Sequence, residues 1–177
     1  MKRTKSTRNR IGNKGYSLVE LIVVIAIMAV MVGVMSLGLG MMFTRDANYV
    51  AVRIDDMLTE ARTASMSRAG TFTYSFHIDG SSPSNSYVKI DQTTDTGTTE
   101  YKRIPLDKSV TVKVNGSDAN DFSVVFDKAK GNVKTVVIDG TAKSELVYEI
   151  DVTSKKNTSK TKTVTLVTTT GRHYTEK

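Results

Sequence analysis

The residue of this sequence best placed for chemistry is Glu20, a single carboxylate at the start of a long apolar stretch. From Leu21 to Phe43 no side chain is charged, and the stretch consists of Leu, Ile, Val, Met, Ala and Phe with one Ser and three Gly. A lone carboxylate in such a setting is costly and normally has a partner. Either Glu20 has such a partner, or it is an interfacial residue that reaches the lipid headgroups.

The segments on either side of Glu20 predict a membrane helix and its direction. About 20 apolar residues cross the hydrocarbon core of a bilayer as a helix, and a soluble domain rarely buries a helix that is apolar on every side. Residues 1–15 contain six Lys and Arg residues and no acidic residue, which places the N-terminus in the cytoplasm. We therefore expect a basic leader over residues 1–15, a transmembrane helix over residues 16–43, and export of the remainder.

The order of features at the N-terminus differs from that of an ordinary secretory signal, in which a cleavage site follows a shorter apolar core. Here the candidate processing site, between Gly15 and Tyr16, precedes the apolar stretch. A basic leader ending in Gly, an aromatic residue, Ser-Leu-Val-Glu-Leu and an apolar helix together resemble the class III signal of type IV prepilins and pseudopilins. Tyr16 stands where that family more often has Phe, and Leu37 where many major pilins have Pro.

The resemblance implies a processing and assembly role for this segment. A membrane-embedded prepilin peptidase would cleave after Gly15, and the new α-amino group of Tyr16 would be N-methylated. Glu20 of one subunit would pair with the Tyr16 amine of its neighbour and set the axial register of a filament. The implied partners are other pilin or pseudopilin subunits through the N-terminal helix, the bilayer, an assembly platform protein and an ATPase.

Composition does not predict a nucleic-acid partner. The chain has a formal net charge of +7, which by itself could suggest an anionic surface or DNA. Six of these charges lie in residues 1–15, so the remainder carries a net charge of about +1. The chain has no cysteine, so no disulfide stabilises the exported part.

Beyond residue 43 the sequence predicts an amphipathic continuation of the helix over residues 44–70. Apolar and small residues recur at the three- and four-residue spacing of one helical face. These residues are Val50, Ile54, Met57, Leu58, Ala61, Ala64 and Ser65. Gly70, after Ala69, is a plausible stop signal.

From residue 71 the pattern changes to alternation, which is typical of half-buried antiparallel strands. The predicted strands are 72–78, 87–91, 100–106, 110–114, 122–126, 133–138, 145–152 and 163–169. The segments between them, including 93–99, 115–121, 139–143 and 154–160, are expected to be loops. The fold class is therefore α+β: a long N-terminal helix packed on an antiparallel β-sheet domain over residues 71–177, as in pilins.

Two C-terminal segments indicate a subfamily. Residues 126–132 contain a Phe, an acidic residue and a Gly between two strands, and a last strand leads into Gly171-Arg172. Together they are similar to minor pseudopilins of the type II secretion H type and to FimT-like minor pilins.

No arrangement of residues predicts catalysis. His77 and His173 have no neighbour at metal-ligand spacing, and we expect both to be exposed. Asp91, Asp95 and Glu100 lie in or beside a Thr-rich segment that could bind a hard cation through oxygen, but their spacing is not that of an EF-hand. We expect no enzyme activity and no cofactor.

The resemblance implies a minor structural subunit of a type IV pilus or a type II secretion-like pseudopilus. It would be a single-pass protein of the bacterial cytoplasmic membrane before joining a filament. A competence-type pseudopilin for DNA uptake is one alternative. A membrane-anchored extracellular binding domain with no filament role is another.

Overall fold

The computed structural model describes residues 17–176, apart from the side chains of residues 35–44, 157, 159 and 160. It forms two compact units, of which the first ends at Leu39 and the second begins at Gly40. Gly15 and Tyr16 lie outside the described residues.

Helix α1 spans Leu18–Ser67, and its C-terminal part buries the face that the sequence predicts. All seven residues of the predicted face are buried, together with Ala47 and Ala51. The helix ends two residues before Ala69, and Gly70 follows with a φ of +96°. A Cβ on Gly70 would lie 2.7 Å from the carbonyl oxygen of Thr93, so the chain leaves the helix where only glycine fits.

Beyond α1, the described residues form eleven strands and a short 3-10 helix, Pro83–Asn85. The strands are β1 (Thr71–His77), β2 (Tyr87–Thr94), β3 (Gly97–Pro105), β4 (Val110–Val114), β5 (Ser117–Asp118), β6 (Asp121–Phe126), β7 (Val133–Ile138), β8 (Thr141–Lys143), β9 (Val147–Ser154), β10 (Asn157–Val167) and β11 (Arg172–Thr175). They form two sheets, with the orders β3-β2-β1-β6-β7-β8 and β11-β10-β9-β4-β5. Every pairing is antiparallel, and the predicted α+β class is confirmed.

One hydrophobic cluster takes residues from α1 and from both sheets. Phe122 of β6 belongs to it, and its ring centroid lies 5.2 Å from that of Phe76 and 6.1 Å from that of Tyr148. Because β6 belongs to the first sheet and β9, which carries Tyr148, to the second, these rings join the two sheets. Aromatic contacts of this kind add specific geometry to the apolar burial.

Each of the eight predicted strands corresponds to an observed one, but several predicted loops are partly strand. Residues 93–99 were expected to be a loop, whereas β2 continues to Thr94 and β3 begins at Gly97. Strands β5 and β8 likewise occupy parts of 115–121 and 139–143, and β10 begins at Asn157. Most residues of β3, and all of β5 and β8, are exposed, so these segments lack the apolar alternation that identifies a strand.

Candidate functional site

The predicted site begins outside the described residues and continues into the first turn of α1. The structure therefore says nothing about Gly15 and Tyr16, and it places Glu20 in the first helical turn. Glu20 is exposed. A carboxylate in the first turn of a helix interacts favourably with the positive end of the helix dipole.

Ser17 caps the helix that carries Glu20. The backbone N–H of Glu20 donates a hydrogen bond to Ser17 Oγ at 3.2 Å, and the N–H of Leu21 donates to the Ser17 carbonyl at 3.2 Å. Ser17 and Glu20 thus occupy the positions of the Ser-x-x-Glu capping pattern. The capping role of Ser17 was not predicted, although the spacing of Ser17 and Glu20 is a recognisable sequence signal for it.

The first part of α1 exposes apolar side chains on every side. All residues from Ser17 to Val34 are exposed, with exposed fractions among the large hydrophobic residues from 44% at Val24 to 77% at Leu18. Contiguous exposed apolar surface usually marks an interface with protein or membrane. Within the part of the chain described with side chains, no helix is both long and apolar enough to cross a membrane.

Both histidines are half-buried, not exposed as expected. His77 Nδ1 lies 2.7 Å from Asp121 Oδ1, and its ring is tilted against Tyr87 at a centroid distance of 5.5 Å. His173 lies in β11, an edge strand that the sequence did not predict, where its Nε2 lies 2.8 Å from Thr59 Oγ1 of α1. The missed strand β11 explains the error, since it docks the C-terminal segment against the helix.

The candidate cation ligands Asp91, Asp95 and Glu100 do not form a site. Asp91 faces Glu100 across the β2–β3 ladder, and its carboxylate binds Lys89 at 2.7 Å. Asp95 lies in the turn between these strands. Within residues 17–176, no three His, Cys, Asp or Glu side chains are close enough together to hold a metal ion.

The two C-terminal segments that indicated a subfamily meet in the structure. Asp127 organises the β6–β7 turn, since its Oδ1 accepts hydrogen bonds from the N–H groups of Ala129 and Lys130, both at 2.9 Å. The same turn contains Gly131, against which Gly171 packs so closely that a Cβ on Gly171 would overlap the Gly131 carbonyl. Residues from the two segments are therefore parts of one structural feature.

Arg62 of α1 holds that feature to the helix. Its Nε donates to the carbonyl oxygen of Gly131 at 2.9 Å, and its Nη2 donates to that of Thr170 at 3.1 Å. No signal in the sequence would have identified its partners, because both are backbone oxygens distant along the chain.

Asp55, Tyr74 and Asp79 are among the described titratable groups whose pKa values are displaced. Burial raises the pKa of Asp55. To smaller extents, the charge of His173 lowers this pKa and the charge of Asp56 raises it. Burial, followed by the charge of Asp55, places the pKa of Tyr74 well above its usual value. Hydrogen bonds from Ser81, Asn85 and the backbone of Ser82 hold the pKa of the Asp79 carboxyl well below its usual range.

Comparison with known proteins gives two findings that agree with this geometry. Residues 10–36 match the family described as the prokaryotic N-terminal methylation motif. The matched range includes Gly15, Tyr16, Ser17 and Glu20. No curated protein matches the sequence.

The fold is similar to that of the type IV minor pilin FimU of Pseudomonas aeruginosa strain PAO1. The crystal structure of FimU in space group P21 aligns with a TM-score of 0.51 and 12% sequence identity, over 75% of this chain and 90% of FimU. The structure in space group P65 aligns with a TM-score of 0.49 and 12% identity, over 73% of this chain and 92% of FimU. The chain thus has a prokaryotic N-terminal methylation motif over residues 10–36 and a fold similar to that of a type IV minor pilin.

Proposed function

We propose that this protein is a minor subunit of a type IV pilus or of a type II secretion-like pseudopilus. It enters the cytoplasmic membrane as a prepilin, with residues 1–15 in the cytoplasm and the β-rich domain exported. A prepilin peptidase cleaves after Gly15, Tyr16 is N-methylated, and assembly with other subunits follows through the N-terminal helix. The platform protein and ATPase of the same machine drive this assembly.

The observation that carries the proposal is the exposure of every side chain from Ser17 to Val34 directly after the processing motif. Burial of apolar surface is favourable by about 25 cal/mol per Å². This segment is therefore stable only when lipid or other helices cover it. Before assembly the bilayer provides that cover, and in a filament the helices of neighbouring subunits do.

Glu20 supplies the polar part of the same interface. In the first turn of α1, it lies about one helical turn in sequence from the α-amino group that cleavage creates on Tyr16. In surroundings from which water is excluded, a pair of opposite charges interacts far more strongly than in water. Pairing between Glu20 of one subunit and Tyr16 of the next therefore favours one axial register over others.

The test compares Glu20→Gln with Glu20→Asp in cells that assemble the filament. The intact mass of the protein from membranes reports cleavage and methylation, and its amount in sheared filaments reports incorporation. We expect a mature chain that starts at Tyr16 with an added methyl group, cleavage retained in both variants, and loss of incorporation in Glu20→Gln. Glu20→Asp keeps the charge with a shorter reach and should retain part of the incorporation.

The contrary results are distinct. A chain that keeps residues 1–15 would identify a membrane-anchored protein with no filament role. Cleavage followed by full incorporation of Glu20→Gln would show a filament subunit whose register does not depend on Glu20.

A further inference from the structure

An open pocket of about 280 Å³ lies between the last turns of α1 and strand β11. It is lined by Thr59, Arg62, Thr63, Met66, Arg172 and His173. Of these six residues, two are always cationic and one can become so. No Asp or Glu is among the described residues that line it.

One guanidinium of the pocket is held in a fixed orientation. The bonds of Arg62 to the carbonyl oxygens of Gly131 and Thr170 use Nε and Nη2. Neither partner is charged, so the positive charge of Arg62 is not neutralised by them. Nη1 has no partner among the described residues and its N–H groups remain able to donate to a ligand.

The second guanidinium is free to close on a ligand. The Arg172 side chain is exposed and has no hydrogen bond or ion pair to any residue in the described part of the chain, although its backbone N–H donates to Thr170 Oγ1 at 3.3 Å. Arginine normally binds carboxylate or phosphate through two parallel N–H donors. Arg172 therefore has an unused pair of donors at the edge of the pocket.

His173 is positioned so that it can be neutral or cationic without moving. Its Nδ1 lies 3.2 Å from the carbonyl oxygen of Gly171, which can only accept, so Nδ1 carries a proton. Its Nε2 meets Thr59 Oγ1, which can also donate to the Asp55 carbonyl at 3.1 Å. Thr59 can therefore accept from a protonated Nε2 while keeping its bond to Asp55. Asp55, whose carboxylate interacts electrostatically with His173, does not line the pocket.

We propose that this pocket binds a phosphate group. A phosphate dianion offers three acceptor oxygens and a charge that two guanidiniums and an imidazole match, whereas a single carboxylate offers two oxygens and one charge. Arg62 forms the fixed part of the site, Arg172 closes on the ligand from outside, and His173 lies in the wall. The proposal is independent of the processing of Gly15 and of the assembly role of Glu20.

The test uses the full chain in a nonionic detergent and titrates inorganic phosphate by calorimetry, with sodium chloride and sodium acetate at matched ionic strength as comparison arms. We expect a dissociation constant of the order of 1 mM. Arg172→Gln should weaken binding about tenfold, since it removes one charge-assisted pair of bonds without disturbing a folded contact. Lys134→Gln removes the same charge from an exposed position on β7 outside the pocket and should leave binding unchanged.

The lysines and arginines of the leader also attract anions, so the difference between the two variants is the decisive quantity. Equal losses in Arg172→Gln and Lys134→Gln would show diffuse attraction to net charge and overturn the site. Binding of phosphate no tighter than that of chloride would do the same. Acetate binding as tight as phosphate binding would overturn the assignment of a phosphate group.

Discussion

The backbones of Gly131 and Gly171 touch at a point where the Gly131 carbonyl leaves Gly171 no room for a side chain. Both glycines have a φ of +66°, and a Cβ on Gly171 would overlap the carbonyl oxygen of Gly131. That same oxygen accepts the hydrogen bond from Arg62 Nε. One contact therefore joins the β6–β7 turn, the β10–β11 turn and helix α1.

Gly171→Ala should lower the free energy of unfolding by about 2–4 kcal/mol, because it adds a steric overlap to the strain of a positive φ. Gly140→Ala is the matched control, since Gly140 has a φ of +77° and open space where its Cβ would lie. Backbone strain alone should lower the free energy of unfolding of Gly140→Ala by about 1 kcal/mol. Urea unfolding of both variants, followed by circular dichroism, measures the difference. Equal losses would mean that the two turns separate to admit the methyl group.

Ser17→Ala should loosen the start of α1 without changing the stability of the β-rich domain. Loss of an N-cap costs about 1 kcal/mol locally, which corresponds to about fivefold faster hydrogen exchange of the first-turn amides, including that of Glu20. The residues from Ser17 to Val34 are all exposed, so they contribute no burial to the hydrophobic cluster. Ser17→Thr keeps the hydroxyl and should exchange like the original protein. An unchanged exchange rate in Ser17→Ala would show that the cap contributes nothing.

The parts of this fold that could be predicted are those with one buried and one exposed face. Strand β1, with Phe72, Tyr74 and Phe76 buried, and the buried face of α1 both follow from periodicity. Strands β5 and β8 are exposed throughout, and β11 contains no fully buried residue. Their hydrogen bonds to neighbouring strands hold them in place, and such bonds leave no pattern of residue types.

The candidate site divides in the same way. The processing motif can be recognised in the sequence because its residues are consecutive. Ser17 and Glu20 can be recognised as a helix cap because they follow a local spacing rule. The pocket around Arg62 and Arg172 could not be predicted from the sequence. Its residues are 110 positions apart and are brought together only by the docking of β11 on α1.

Asp79→Ala should destabilise the loop before β2 at neutral pH. Asp79 Oδ1 accepts hydrogen bonds from the N–H groups of Ser81 and Ser82, at 2.8 and 3.0 Å, and Oδ2 accepts one from Asn85 at 2.9 Å. These bonds favour the ionised form, so the folded pKa lies below the unfolded value of 3.8. The stabilisation is therefore complete above that value and is lost as the pH falls through the folded pKa.

Unfolding free energies of the original and variant proteins at pH 7 and pH 3 measure this effect. The loss in Asp79→Ala should be larger at pH 7 than at pH 3. Asp95→Ala is the control, because Asp95 is exposed and makes no hydrogen bond or ion pair with the described residues. A loss of the same size at both pH values would assign the effect to loop conformation instead of ionisation.

The pKa of Asp55 is shifted in the opposite direction to that of Asp79. Asp55→Asn should therefore stabilise the protein at neutral pH. Its Oδ1 is buried without a hydrogen-bond partner among the described residues, as is the nearby Tyr74 hydroxyl. Burial raises the folded pKa of Asp55 above the unfolded value of 3.8, a shift that His173 opposes and Asp56 reinforces. The folded state therefore holds a proton more tightly, and its stability falls as the pH rises through the folded pKa.

Asn carries no charge at any pH, so the variant avoids this penalty. The gain in the free energy of unfolding should be present at pH 7. It should vanish below pH 3.8, where Asp55 is protonated in both the folded and the unfolded protein. Thermal unfolding of the original protein and of Asp55→Asn at pH 7 and pH 3 measures it, and taking the difference at each pH cancels the titration of all other groups. A destabilised variant at pH 7 would show that the charge of Asp55 is compensated by His173 more fully than its burial indicates.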